Sequence, residues 1–180
     1  MSAVRITSKP GRVKPHRLGP DLTVSLPARV EAGPSEAVGP YKVTLEIDMV
    51  DGRIGCTEIT VRTASGAPVT GTDLRAIPVG TIVRLATTTL VQETIGRNGD
   101  FVTVTPYQPP EINVRAGATD EALRFVAASY SLAYALGEPP AKAVERDLGI
   151  ATSTASKWIK LARERGYLDI PAGKGQKGKD

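Results

Sequence analysis

A chain of 180 residues with 41% hydrophobic and 23% charged side chains holds enough apolar material for one sizeable core or two small ones. Aromatic residues make up only 4%, so any core must be built mainly from Val, Ile, Leu and Ala. The single cysteine, Cys56, excludes an internal disulfide, a cysteine zinc cluster and a redox pair, no run of about 18 apolar residues is present to cross a bilayer, and a net charge of +4 is alone a weak pointer to an acidic partner.

Charge placement says more than its sum. The first twenty residues carry Arg5, Lys9, Arg12, Lys14 and Arg17 with no acid, and from Thr152 to Lys179 seven cations face only Glu164 and Asp169. Positive ends can follow phosphates, although lysine-rich and glycine-rich tails also serve simply to keep a protein in solution. The opening residues, MSAVRITSKPGRVKP, lack the apolar stretch of a secretory signal, and a reducing cytoplasm is the expected location.

Residues 1–39 contain Pro10, Pro15, Pro20, Pro27 and Pro34 among several glycines, which reads as a flexible basic arm with at most a short strand such as Leu22 to Leu26. His16, inside that arm, reads as a solvated residue. Residues 40–106 read as a β-rich α+β domain. Tyr41 to Met49 alternates, with Val43, Leu45 and Ile47 on one face, and Arg53 to Arg62 continues with Ile54, Cys56, Ile59 and Val61. Between them Asp51-Gly52 signals a two-residue hairpin turn, because such a turn needs positive φ. The apolar phase slips between Cys56 and Ile59, as a bulge or a frayed strand start would produce.

After the turn-like Ala64 to Thr70, the segment Thr72 to Val91 places Ile82, Val83, Leu85, Ala86 and Leu90 at helical spacing, interrupted by Pro78. One helix or two short ones are expected, with a strand as the competing reading because of the β-branched run Thr87 to Thr89. Asn98-Gly99 before Phe101 to Thr105 marks a second hairpin or a loop with a short strand. Residues 107–118, proline-rich, read as a linker.

Residues 119–170 carry the clearest helical signals. Thr119 is a sound N-cap for Asp120 to Leu136, Gly137 stands where a left-handed residue ends a helix, and Leu123, Val126, Ala127, Tyr130 and Tyr134 form one apolar stripe. A second helix is expected from Pro140 to Leu148, with Val144 and Leu148 inward, and Gly149 then turns the chain. Thr152 is read as the cap of a third helix, Ser153 to Arg165, whose inner face is Ala155, Trp158, Ile159 and Ala162. Its other face presents Ser153, Thr154, Ser156, Lys157 and Lys160. Two helices joined by a short glycine-containing turn, the second displaying hydroxyls and cations, suit the major groove of DNA.

The segment AKAVERDLGIATSTASKWIKLARERGYL resembles the helix-turn-helix of many actinobacterial and phage regulatory proteins, over about fifty residues. Gly149, Ile150 and Trp158 match the turn glycine, the hydrophobe after it and the mid-helix apolar residue of that family. Glu145 departs from it, standing where a small residue is usual, so that it must tilt outward or the helix angle must differ. Gly166 to Leu168 is similar to the start of a wing. The N-terminal part resembles uncharacterised actinobacterial proteins, which implies no activity.

The expected fold is thus α+β: a small hairpin-rich N-terminal domain with one or two helices, then a three-helix helix-turn-helix domain, then a disordered basic tail at 171–180. The expected function is sequence-specific binding of double-stranded DNA, as a bacterial transcriptional regulator and homodimer, through Thr152, Ser153, Thr154, Ser156, Lys157, Lys160 and Arg163. A phage-type packaging or assembly adaptor is the alternative. No catalytic residue, metal or cofactor is expected, because Glu46, Asp48 and Asp51 are explained by a solvated hairpin face and Ser65 to Gly71 do not spell a phosphate loop.

Overall fold

The computed structural model describes residues 4–8, 13–35, 38–63, 65–98 and 101–170, and it is α+β. Among these residues eight strands form two four-stranded antiparallel sheets. The strands are β1 (Val4–Ser8), β2 (Lys14–Arg17), β3 (Leu22–Leu26), β4 (Ala28–Ala32), β5 (Tyr41–Val50), β6 (Arg53–Thr63), β7 (Val91–Asn98) and β8 (Phe101–Pro106). One sheet runs in the order β1-β4-β5-β6 and the other in the order β2-β3-β7-β8. Helices α1 (Gly71–Ala76) and α2 (Val79–Leu90) follow β6, and α3 (Asp120–Ala135), α4 (Pro140–Leu148) and α5 (Thr152–Glu164) close the described chain.

The described part of the segment expected to be a flexible arm carries four strands, of which only Leu22–Leu26 was expected. Leu22, Val24 and Leu26 of β3 and Ala28, Val30 and Ala32 of β4 alternate inward with half-exposed neighbours, the period-two pattern of strands with one buried face. Pro27 alone separates the two strands, which belong to different sheets, so the residue lacking an N–H falls where neither ladder needs a donor. Lys9, Arg12, Gly99 of the expected second turn, and the expected tail at 171–180 lie outside the described residues.

The β5–β6 hairpin turns at Asp51 and Gly52, both at positive φ (51° and 75°), the backbone a type I′ turn requires. The slip of apolar phase is a bulge. Glu46 pairs with Glu58 and Ile47 with Cys56, so Thr57 is the extra residue, and its hydroxyl donates to the Glu46 carbonyl at 3.2 Å. Ile54, Cys56, Ile59 and Val61 are thereby kept opposite Met49, Ile47, Leu45 and Val43.

Two short helices, not a strand, follow. Thr70 and Asp73 form a reciprocal capping box on α1, and Asp73 is held below the ordinary carboxylate range by the Tyr41 hydroxyl first and by Thr70 next. In α2 Ile82, Val83 and Ala86 are buried, whereas Leu85, expected on the same face, is 55% exposed. The β-branched run fits a helix because its hydroxyls bond to the preceding turn, Thr87 to the Val83 carbonyl and Thr88 and Thr89 to that of Leu85. β7 then begins directly at Val91 and pairs with β8 as an antiparallel hairpin.

Two apolar cores result. The first joins both sheets to α2 and includes Ala128 and Ala135 of α3. The second is formed by α3, α4 and α5, around Leu123, Val126, Val144, Trp158 and Ile159. Residues 107–118 do not hang free between them, since Tyr107 packs on the first core and Ile112, Val114 and Ala118 on the second. Exposed ion pairs also span the halves, Arg17 to Asp169 and Arg124 to Asp21, each at 3.5 Å. Among the described residues no helix is long and apolar enough to cross a membrane.

Candidate nucleic-acid interface

α3 starts where Thr119 accepts the Ala122 N–H at 3.2 Å, with Asp120 and Glu121 in its first turn complementing the positive end of the helix. Its stripe of Leu123, Val126, Ala127 and Tyr130 is buried against α4 and α5, but Tyr134, read from sequence as part of that stripe, is 37% exposed. The residues at the far end of α3 instead face the first core, where Ala135 is buried.

α4 carries Pro140 at its start and ends at Gly149, whose φ of 62° and ψ of 34° are left-handed. The N–H groups of Gly149 and Ile150 both donate to the Glu145 carbonyl, closing the helix end. Ala143, 2% exposed, and Val144 supply its inward face, while Glu145 is half-exposed. Ser129 of α3 donates to Asp147 of α4 at 2.7 Å, a link eighteen residues apart in sequence that no local pattern announces.

α5 begins one residue earlier than expected. Ala151 is its N-cap, with extended backbone and a carbonyl that accepts from Thr154 and Ala155, so Thr152 belongs to the first turn and does not cap. No side chain caps this end and no acid stands in its first turn, which leaves the N–H groups of Thr152 and Ser153 without intrahelical acceptors. Ala155, Trp158, Ile159 and Ala162 are buried, as the spacing predicted.

The opposite face is open. Thr152, Ser153, Ser156, Lys157 and Lys160 are exposed, and Thr154 is half-buried. Lys160 lies 3.6 Å from Glu164 one turn on, an exposed pair that offsets part of its charge. Arg163 is placed differently from the rest of the expected set. Its guanidinium lies 4.9 Å from the centroid of the Tyr130 ring, its Nε donates to the Ile170 carbonyl at 3.5 Å, and its Nη2 is buried without a partner. It is turned into the helical unit, where it covers Tyr130 and holds the segment after α5 at Ile170. Arg165 is likewise engaged, by Asp120.

Chemically, this face offers hydroxyl donors and acceptors, two lysine ammonium groups and an uncapped positive helix end along the stretch from Thr152 to Lys160, all suited to phosphate and to base edges. Among the described residues no group of three or more His, Cys, Asp or Glu side chains is arranged to hold a metal ion. Comparison with protein-family models, with curated proteins and with solved structures returns no match.

Proposed function

We propose that α4 and α5 form a helix-turn-helix and that the chain binds double-stranded DNA through α5, as a transcriptional regulator acting in the cytoplasm as a homodimer, without catalysis. The observation that carries the reading is the division of α5 into two faces: Trp158 and its neighbours are sealed in the core, while Thr152, Ser153, Ser156, Lys157 and Lys160 stand free of the sheets. A helix so held can enter the major groove without rearrangement, its first turn nearest the bases. Lys157 and Lys160 neutralise phosphates, and the hydroxyls of Ser153, Thr154 and Ser156 contribute to sequence choice. A single short recognition helix binds weakly, so two copies reading half-sites about one helical turn apart are proposed.

The test is fluorescence anisotropy on DNA recovered from genomic fragments by the protein itself, repeated across salt concentrations. Lys157→Ala and Lys160→Ala are each expected to weaken binding and to lower the slope of log K against log salt by about 0.9 for every phosphate no longer neutralised. The effect of Lys160→Ala is expected to be the smaller, because Glu164 already offsets it. Unchanged affinity and slope in the double variant would remove α5 from the interface. A short protected site in footprinting favours a regulator over an assembly adaptor.

A further inference from the structure

A cleft of about 440 Å³ lies between the end of the β3–β7 pair, the residues after β8, α3 and Tyr167 beyond α5. That volume falls within the range of small-molecule sites, roughly 300 to 1,000 Å³. Three of the few aromatic rings in the chain, Tyr107, Phe125 and Tyr167, line it. Its carboxylates are Asp21, Glu93 and Glu121, and its one cation among the described residues is Arg124.

The charges do not cancel locally. Arg124 is engaged twice, by Asp21 at 3.5 Å and over the Tyr167 ring at 4.8 Å. Glu121 stands in the first turn of α3, whose positive end offsets part of its charge. Glu93, half-buried and opposite Leu22 in the strand register, is the carboxylate left over. Beside it the Tyr107 hydroxyl is pushed up to about 12, chiefly by burial and next by Glu93, so it stays a neutral donor. At the back of the cleft Ser131 is 1% exposed and its hydroxyl has no hydrogen-bond partner, a rare condition for a buried polar atom. Gly19 faces that hydroxyl so closely that a Cβ there would come within 3.1 Å of it.

We propose that this cleft binds a small organic cation with an aromatic body, its ammonium directed to Glu93 and its ring held by the aromatic wall of Tyr107 and Phe125. An aromatic lining with a surplus carboxylate favours such a ligand over a neutral or anionic one of the same shape, through the negative ring faces and the direct charge attraction. Binding in this cleft does not depend on whether α5 meets DNA.

The experiment uses the full chain and three probes of one skeleton: 2-phenylethylammonium, 2-phenylethanol and phenylacetate. Titrations followed by amide chemical shifts are expected to show saturable binding of the ammonium probe with a Kd of about 1 mM, and shifts clustered at Gly19, Glu93, Gln108 and Ser131. The alcohol is expected to bind about 10-fold more weakly and the carboxylate more weakly still. Glu93→Gln is expected to bring the ammonium probe to the level of the alcohol, and Ser131→Ala, which removes an unsatisfied buried hydroxyl, is expected to fold at least as well as the parent. Equal affinity for the three probes, shifts away from the cleft, or no saturation by about 10 mM would overturn the proposal, and these readouts on the unmodified chain hold even if a variant fails to fold.

Discussion

Replacing Gly149 tests the geometry on which the orientation of α5 depends. The residue sits at a φ of 62°, and a Cβ built there meets no atom within 4 Å. Steric contact therefore contributes nothing, and the whole penalty for Gly149→Ala is the intrinsic cost of an L-residue in the left-handed region, about 1 to 2 kcal/mol. The substitution also restricts the unfolded chain, which returns about 0.4 to 1 kcal/mol, so the net loss is expected near 1 kcal/mol. For a chain of this length that is about 2 to 4 °C in Tm. Gly149→Asn is expected to lose about half as much, since Asn tolerates this region better. D-alanine at position 149, introduced by chemical ligation, is expected to stabilise, because it accepts positive φ and restricts the unfolded state. Urea titrations followed by the fluorescence of Trp158, the sole tryptophan and 7% exposed, read the helical core directly. Stability unchanged by L-alanine, or lowered equally by both enantiomers, would refute the reasoning.

Two further outcomes follow from the cores. Trp158→Ala is expected to cost about 3 to 5 kcal/mol and to lower helix content, measured by circular dichroism because the fluorophore is lost; a change under about 1 kcal/mol would mean that the second core does not rest on this ring. Tyr107 gives a pH signature: the unfolded chain releases the phenolic proton near pH 10 and the folded chain retains it to about 12. Its contribution is thus complete below about pH 10 and lost as pH rises towards 12, by at most about 2 kcal/mol after allowance for partial exposure. Urea midpoints of Tyr107→Phe are expected to fall less steeply than those of the parent over that interval, and parallel curves would remove the burial of the hydroxyl as the cause.

The helical third was legible because its boundaries are written locally. Thr119, Pro140, Gly137 and Gly149 act within one turn of themselves, and all four stand where their residue types predicted. The start of α5 shifted by one because a preference for Thr over Ala at the cap gave way to backbone, Ala151 being the residue with extended ψ. Of the strands before residue 40, Leu22–Leu26 was legible from its alternation, whereas β1, β2 and β4 were not, for the opposite reason. β1 and β4 pair at separations of twenty or more residues, and Ala28, Val30 and Ala32 show their alternation only through the small side chains between two prolines. The Asp51-Gly52 turn and the bulge at Thr57 were readable because turn chemistry and period-two phase are again local. On α5, spacing grouped Arg163 with the cations, but a long side chain beside the Tyr130 ring gains more by covering it. No comparable local signal marked the cleft, whose walls come from β3, β7, the residues after β8 and α3.

The double membership of α3 has a mechanical consequence. One side of this helix completes the apolar interior of the sheets through Ala128, Leu132 and Ala135, and the other carries α4 and α5. Severing the chain within residues 107–118 would strip both pieces of their lids, so neither is expected to survive as an independent fragment. It also denies α5 the freedom of a tethered head: its direction is that of the sheets. Two such chains joined sheet to sheet would hold their α5 helices at one separation, and a DNA with any other distance between half-sites would have to bend or twist to meet them.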